Sequence, residues 1–434
     1  MSSAARKFLA ITVCAMTATG VFAAEQKSES AGPDIGVANF LSTHGVSGAV
    51  RTNYYRSSKS FDDAADFLGT TVQIEARPKL AANLDGKLAA RASNSSIDKG
   101  GKTRGLLVEG YATFHFESAD LRIGKQIVAW GRADGINPTD NLTPRDFAVM
   151  LPFEDDQRLG TPSVKLDSFL SQEHTLTLFA TPYFEPSKIP LPTDGPGVVQ
   201  VKPARSVSNT QLGLRLNKVG EGFDWSASYF RGFSLLPSIR AVRGSPSGQV
   251  TELRYDRITV LGADFARNLG RFGVRGEVAY MDTRDDEGVD PLVRNPQLFW
   301  IVGVDRTFLD NLNVNVQYFQ RRIRHFHDPD AGADPNGRRL AIQNAVLGGQ
   351  RDRVSDGVTF RVSNKWFNDT LEAEVFAVVN FTRNDAFVRP LLTYSFSDHW
   401  KATIGAEYFR GAPDTQYGGL KRNRGAFAEL RYSY

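Results

Sequence analysis

The chain holds a single cysteine, Cys14, inside a segment expected to be removed, so the rest offers no disulfide and no thiolate metal site. Long apolar runs are also missing. Beyond the first residues no stretch of roughly 18 consecutive apolar positions occurs, which excludes a helical membrane span, and the mean hydropathy is −0.31. A β-barrel escapes that exclusion, because its strands need apolar residues only at alternate positions. Charge of one sign is scarce as well. Lys and Arg number 52 against 48 Asp and Glu, a near-neutral balance that gives no reason to expect a nucleic-acid partner. The 6 histidines are His44, His115, His174, His325, His327 and His399. No Ser–His constellation stands out; His325 and His327 could hold a metal in a loop, but a solvated role among the neighbouring arginines is expected, and glycine-rich phosphate loops are absent. No enzyme activity, metal or cofactor is expected.

The first residues read as a secretory signal peptide. Arg6 and Lys7 supply the positive charge, Phe8 to Met16 the apolar core, and Val21-Phe22-Ala23 a small-residue cleavage site. The expected organisation is a signal peptide over 1–23, a polar periplasmic lead-in over 24–44, and one barrel domain over 45–434.

The dominant signal is period-2 alternation in segments of roughly ten residues. Leu312, Val314, Val316 and Tyr318 alternate with Asn313, Asn315, Gln317 and Phe319. Ala402, Ile404, Ala406 and Tyr408 alternate with Thr403, Gly405, Glu407 and Phe409. In the last segment Ala428, Leu430 and Tyr432 alternate with Phe427, Glu429 and Arg431. Strands placed from 46–56 to 422–434 number about eighteen, with sixteen as the alternative. Their connections alternate between short turns, such as Glu117-Ser118 and Ser397-Asp398, and long loops, such as 128–162, 182–206, 233–255 and 321–354. The expected fold class is therefore all-β: a transmembrane antiparallel up-and-down β-barrel with short periplasmic turns and long extracellular loops. Tyr434, with apolar residues two and four positions before it, fits a carboxy-terminal signal to the barrel assembly machinery. Outer-membrane lipid and lipopolysaccharide are the other expected partners. Aromatics at strand ends, among them Tyr54, Phe116, Phe299, Trp366 and Trp400, are expected to form interfacial girdles.

Assigning each polar face to the interior gives a lumen lined by Arg51, Arg77, Lys87, Arg91, Arg122, Arg215, Arg275, Arg361 and Arg431. The acids on those faces are Glu75, Asp85, Glu109, Asp120, Glu277, Glu372, Glu374, Glu407 and Glu429. The two sets balance, so pairing across neighbouring strands is expected in place of a basic selectivity ladder. The densest basic cluster includes Arg321, Arg322 and Arg324 in the loop 321–354, where it is expected at the surface, facing lipopolysaccharide phosphates or steering acidic solutes.

One stretch carries a local motif. Residues 121–146 contain Gly124-Lys125-Gln126, then Trp130-Gly131, then Asn137-Pro138-Thr139-Asp140. Gly131, Gly135, Pro138 and Pro144 give the loop 128–162 a built-in shape. It is expected to fold against or into the lumen, anchored by Trp130, with Arg132, Asp134, Asp140, Arg145 and Asp146 facing solute. This motif resembles a group of proteobacterial outer-membrane barrels that are in turn similar to the alginate-export barrels. That resemblance implies eighteen strands and passage of polymers or hydrophobic solutes, with a basic lumen that the balanced charges here do not match. The expected function is an outer-membrane channel or porin with the loop 128–162 as constriction. The alternative is a structural or adhesive surface barrel with a plugged lumen; a hydrolase is the least favoured.

Overall fold

The computed structural model describes residues 45–434, apart from 58–65, 95–102, 150, 152, 190–196, 245–247, 286, 310 and 333. The signal peptide and the lead-in expected over 1–44 lie outside the described residues.

Eighteen strands run antiparallel in chain order, from Val46–Ser57 and Asp66–Ala76 to Trp400–Arg410 and Gly425–Ser433. The first pairs with the last, placing Arg51 opposite Arg431 and Tyr54 opposite Ala428. That pairing closes the sheet and leaves no strand edge unpaired. Short turns join the strands at one end: Glu117-Ser118 links Arg104–His115 to Ala119–Gln126, and Leu309, with φ at 46°, turns the chain before Leu312–Ile323. Long connections gather at the other end, with one break in the alternation at Phe381–Asn384, a tight link between Leu371–Asn380 and Asp385–Ser395.

The pleat sorts side chains inside-out relative to a soluble protein. Val50 is 40% exposed, whereas its neighbours Arg51 and Asn53, inside the barrel, are 1% and 0% exposed. Val72, Ile74, Leu178, Val304 and Ile404 continue the exposed apolar belt on other strands. An apolar band of this extent needs lipid around it. Phe116, Phe169, Trp366 and Phe396 sit exposed at the short-turn end, as a girdle requires. Phe299 does not join a girdle; it points inward and packs against Phe319 at 6.3 Å.

The long loops carry structure of their own. Val198–Val201, Ser238–Gly244 and Gly248–Arg254 form a three-stranded sheet. The loop expected over 321–354 begins later than the sequence suggests, because Arg321 and Arg322 belong to the strand Leu312–Ile323. It also contains a helix, Pro335–Gly348, whose first turn is capped by the Asp334 carboxylate and whose end is closed by Gly349 with φ at 66°. A side chain at Gly349 would collide with the guanidinium of Arg321. Asn344 fastens the helix to the small sheet, accepting from the Ile239 amide at 2.7 Å and donating to its carbonyl at 2.8 Å.

Closure predicts a covalent trap. Tyr54→Cys combined with Ala428→Cys, in a chain whose only native cysteine is Cys14, should form an intrachain disulfide on mild oxidation, because directly opposed Cβ atoms lie about 4.5–5.5 Å apart. Faster electrophoretic migration of the oxidised unfolded chain would report the link; its absence would contradict the pairing of first and last strands.

Candidate functional site

The residues after Gln126 leave the wall and turn inward. The buried Gln126 side chain donates to the Ser163 carbonyl at 3.1 Å, and the amide of Ile127 donates to the Glu109 carboxylate at 2.9 Å, fixing the exit. Val128, Trp130 and Leu142 then pack against Phe179, Phe230, Ile258, Val260 and Met281 on the inner wall. Gly213 faces Trp130 so closely that a Cβ there would lie 2.9 Å from the indole. The lumen face is thus apolar where the loop rests on it, which a uniformly polar interior does not anticipate.

Beyond Trp130 the chain crosses to the far wall. Gly131 has φ at 100°, and a side chain there would meet the Glu277 carboxylate at 2.5 Å. Glu277, buried on the strand Phe272–Thr283, accepts from the amides of Arg132 and Ala133, from Asn137 Nδ2 at 3.1 Å and from Thr139 Oγ1 at 3.1 Å. Four donors from one loop thereby converge on one carboxylate. The Arg132 guanidinium continues the attachment to Asp264 at 3.1 Å and to Asn217 at 2.8 Å. Gln317 holds Asp134 through both backbone atoms, accepting from its amide at 3.0 Å and donating to its carbonyl at 2.7 Å. The Asp134 carboxylate pairs with Arg361 at 2.7 Å, and Arg361 also pairs with Glu374 at 2.8 Å.

The return half of the loop is fastened to the strands near the closure. Its short 3-10 turn, Glu154–Gln157, presents Glu154 to Arg389 at 3.0 Å and Asp156 to Arg51 at 2.8 Å. Arg51 also bonds Glu429 at 2.9 Å, and Arg91 donates to the Asp156 carbonyl at 2.7 Å. Wall-to-wall pairs fill the remaining perimeter: Arg215 with Asp264 at 3.1 Å, Lys87 with Glu109 at 2.5 Å, and Arg275 with Asp305 at 2.5 Å. Arg122 lies over the Tyr111 ring at 4.5 Å, and Arg431 donates to Ser433 at 3.0 Å.

Several expectations are corrected by this geometry. Asp146 does not face solute, and Asp140, although it lines the cavity at the long-loop end, is already committed to ion pairs. The Asp140 side chain is 3% exposed and clasped by Arg145 and Arg158, and that of Asp146 is 8% exposed and paired with Lys188 at 2.7 Å. Both brace the loop against itself and its neighbour. Arg77 stands past the end of the strand Asp66–Ala76, exposed and bonded to Glu75, so both sit at the short-turn rim. The basic cluster disperses: Arg321 is turned inward over Phe299 at 4.4 Å and donates to the Gly349 carbonyl at 2.7 Å, while Arg324 donates to the Tyr280 hydroxyl. Arg322, one residue on, falls on the opposite face of that strand. Alternation places these residues on two faces, whereas counting arginines along the sequence does not. Asp264, Gln317, Glu154 and Asp156 were the important partners that charge counting missed.

Above the loop, at the long-loop end, lies a chamber of about 1590 Å³. Its wall is aromatic: Phe387 stacks on Phe409 at 5.1 Å and on Tyr417 at 5.9 Å, with Phe376, Phe299 and Phe319 beside them. Ile342 and Val346 of the helix and Leu253 of the small sheet line it too, and Gly135, Ile136 and Glu154 of the loop complete it. Arg351, bonded to Asp330 at 2.9 Å and Asp414 at 2.7 Å, ties the surrounding loops, as does Arg383 with Asp352 at 2.7 Å. The hydrogen bond from Arg351 holds the Asp414 carboxyl below the usual carboxylate range. A second cavity of about 440 Å³ is lined by Asp134, Asp155, Arg361, Glu372 and Glu374. Glu154 and Arg389 line both cavities, so their ion pair stands between them.

Residues 52–433 match the family model described as "Protein of unknown function (DUF1302)". The chain belongs to that family. No curated protein matches it. Among solved structures it is similar to OccAB4 of Acinetobacter baumannii, at 10% identity and a TM-score of 0.54 over 90% of this chain and 97% of that one. It is similar also to OccK5 (OpdH) of Pseudomonas aeruginosa, at 10% identity and a TM-score of 0.52 over 90% and 96%. These likenesses establish a shared barrel fold, and the exposed apolar belt is the lipid-facing surface of such a barrel. They lend no support to the alginate-export resemblance of the motif.

The Glu277 clamp makes a stability prediction. Glu277→Ala strands four loop donors and should destabilise the barrel by about 2–4 kcal/mol in urea unfolding, while exposing residues 131–139 to protease. A fully protected loop in that variant would show that the clamp does not hold it.

Proposed function

We propose that this protein is a channel for solutes across the outer membrane, with the inward loop between Gln126 and Thr161 as its constriction. One observation carries the proposal: the loop crosses the lumen yet leaves a cavity on either side of the Arg389–Glu154 pair. A barrel of about eighteen strands is wide enough for an aqueous lumen, and a loop bonded across it narrows that lumen without demanding that it be sealed. The balanced ion pairs on the walls argue for a lining that holds the loop in place and not for a strongly anion-selective pore.

The constriction sets the solute size and the mouth its chemistry. Past the aromatic chamber a solute meets the Arg389–Glu154 pair, then the second cavity, where Asp134, Asp155, Glu372 and Glu374 outnumber Arg361 and Arg389. That acidic surplus favours cations and neutral solutes at the narrow stage.

Planar-bilayer recording tests the proposal directly. The refolded protein should show discrete conductance steps, and replacing residues 131–157 with a short glycine linker should raise the step size several-fold. Absence of conductance in both forms would contradict the channel and favour a plugged structural barrel.

A further inference from the structure

The chamber has a chemical character of its own. Nine aromatic residues line its wall, among them Tyr55, Phe387, Phe409 and Tyr417, and those borne by strands lie on inward faces where a purely aqueous pore would carry polar groups. Tyr55 is itself stacked on Phe427 at 4.9 Å. Most of the charged groups in the wall are already bonded. Arg351 and Arg383 are held by aspartates, Arg389 by Glu154, Arg321 by the Gly349 carbonyl, and Asp385 accepts from Asn380 and from the Tyr417 amide.

Glu407 is different. It lines the chamber from the strand Trp400–Arg410, yet it takes no hydrogen bond and no ion pair from any described residue. Its register partner in the last strand is Gly425, which offers no side chain to meet it. The guanidinium of Arg389 acts on it electrostatically but donates to Glu154 instead. Half-buried and open to the chamber, the carboxylate is an acceptor that a donor on a visiting group can reach beside the apolar rings.

We infer that this chamber is a binding site for apolar solutes carrying one hydrogen-bond-donating group, an alcohol, phenol or amine, which Glu407 receives while the aromatic wall takes the apolar body. The inference deepens the channel proposal and rests on it for how the solute arrives. It also carries an exclusion: an apolar solute ending in a carboxylate meets a like charge and offers no donor, so it is rejected. The arrangement follows the usual logic of small-molecule sites, a largely apolar enclosure with few convergent polar groups.

The test uses the full barrel in lipid nanodiscs, with empty nanodiscs as the partition control. Calorimetric titration with 2-naphthalenemethanol, 2-naphthalenemethylamine and 2-naphthoate compares three heads on one apolar body. The alcohol and the amine should both bind at least about tenfold more tightly than the carboxylate. Glu407→Gln should bring the carboxylate to within about threefold of the alcohol, since it removes the repulsion and keeps an acceptor. Phe387→Ala should weaken all three. Equal binding of the three heads, tighter binding of the carboxylate, or unchanged discrimination in Glu407→Gln would each overturn the inference. Binding is read without conduction, so a conducting barrel that fails here refutes this site alone, and a binding barrel that never conducts refutes the channel alone.

Discussion

The Glu277 carboxylate accepts donors from Arg132, Ala133, Asn137 and Thr139, and the interior architecture depends on that convergence. A chain that leaves the wall of a barrel carries backbone amides and carbonyls away from their ladder partners, and each needs a new one. Glu277 meets that need for two successive amides, and Gln317 does so for both backbone atoms of Asp134. Gly131 makes the approach possible, since any side chain there would occupy the space of the carboxylate. With these contacts in place the loop spans the lumen as a fixed bar; without them only side-chain ion pairs such as Asp134–Arg361 and Glu154–Arg389 would tie it to the far wall.

Electrostatics around the bar are local and nearly neutral. Arg361 meets Asp134 and Glu374, Arg51 meets Asp156 and Glu429, and Arg389 meets Glu154. In each trio or pair the loop contributes an acid and the wall a guanidinium. The bidentate reach and permanent charge of arginine suit such crossings. A chain with nearly equal numbers of acids and bases thus has its charges committed to fixing the loop, and the solute-facing character is left to aromatic rings at one end and surplus acids at the other.

Much of this was legible in the alternation. The inward set in the last strands, Glu407, Glu429 and Arg431, follows from a period of two, and so do the closure and the strand count. The motif around Trp130 and Asn137-Pro138 announced a shaped loop because glycine and proline restrict it. The partners of that loop were not legible, since Asp264, Glu277 and Gln317 lie more than a hundred positions away and only closure brings them near. The aromatic chamber left a trace that polarity counting passed over: Phe319, Phe409 and Phe427 each stand at the long-loop end of an otherwise polar face. The helix Pro335–Gly348 was signalled too, by Asp334-Pro335 before it and Gly349 after it, but its arginines drew attention to charge instead. Arg321 and Arg322 show the cost of reading charge without register, because one residue of offset turns one of them inward.

The account stands on the inward course of the loop, and cross-linking in native membranes tests that course most directly. Asp134→Cys and Arg361→Cys replace an ion pair joining loop to far wall at 2.7 Å. A short bifunctional thiol reagent added to cells should join the two cysteines in most barrels, leaving little thiol for a later label. Free labelling of both cysteines with no cross-link formed would contradict a loop that crosses the lumen.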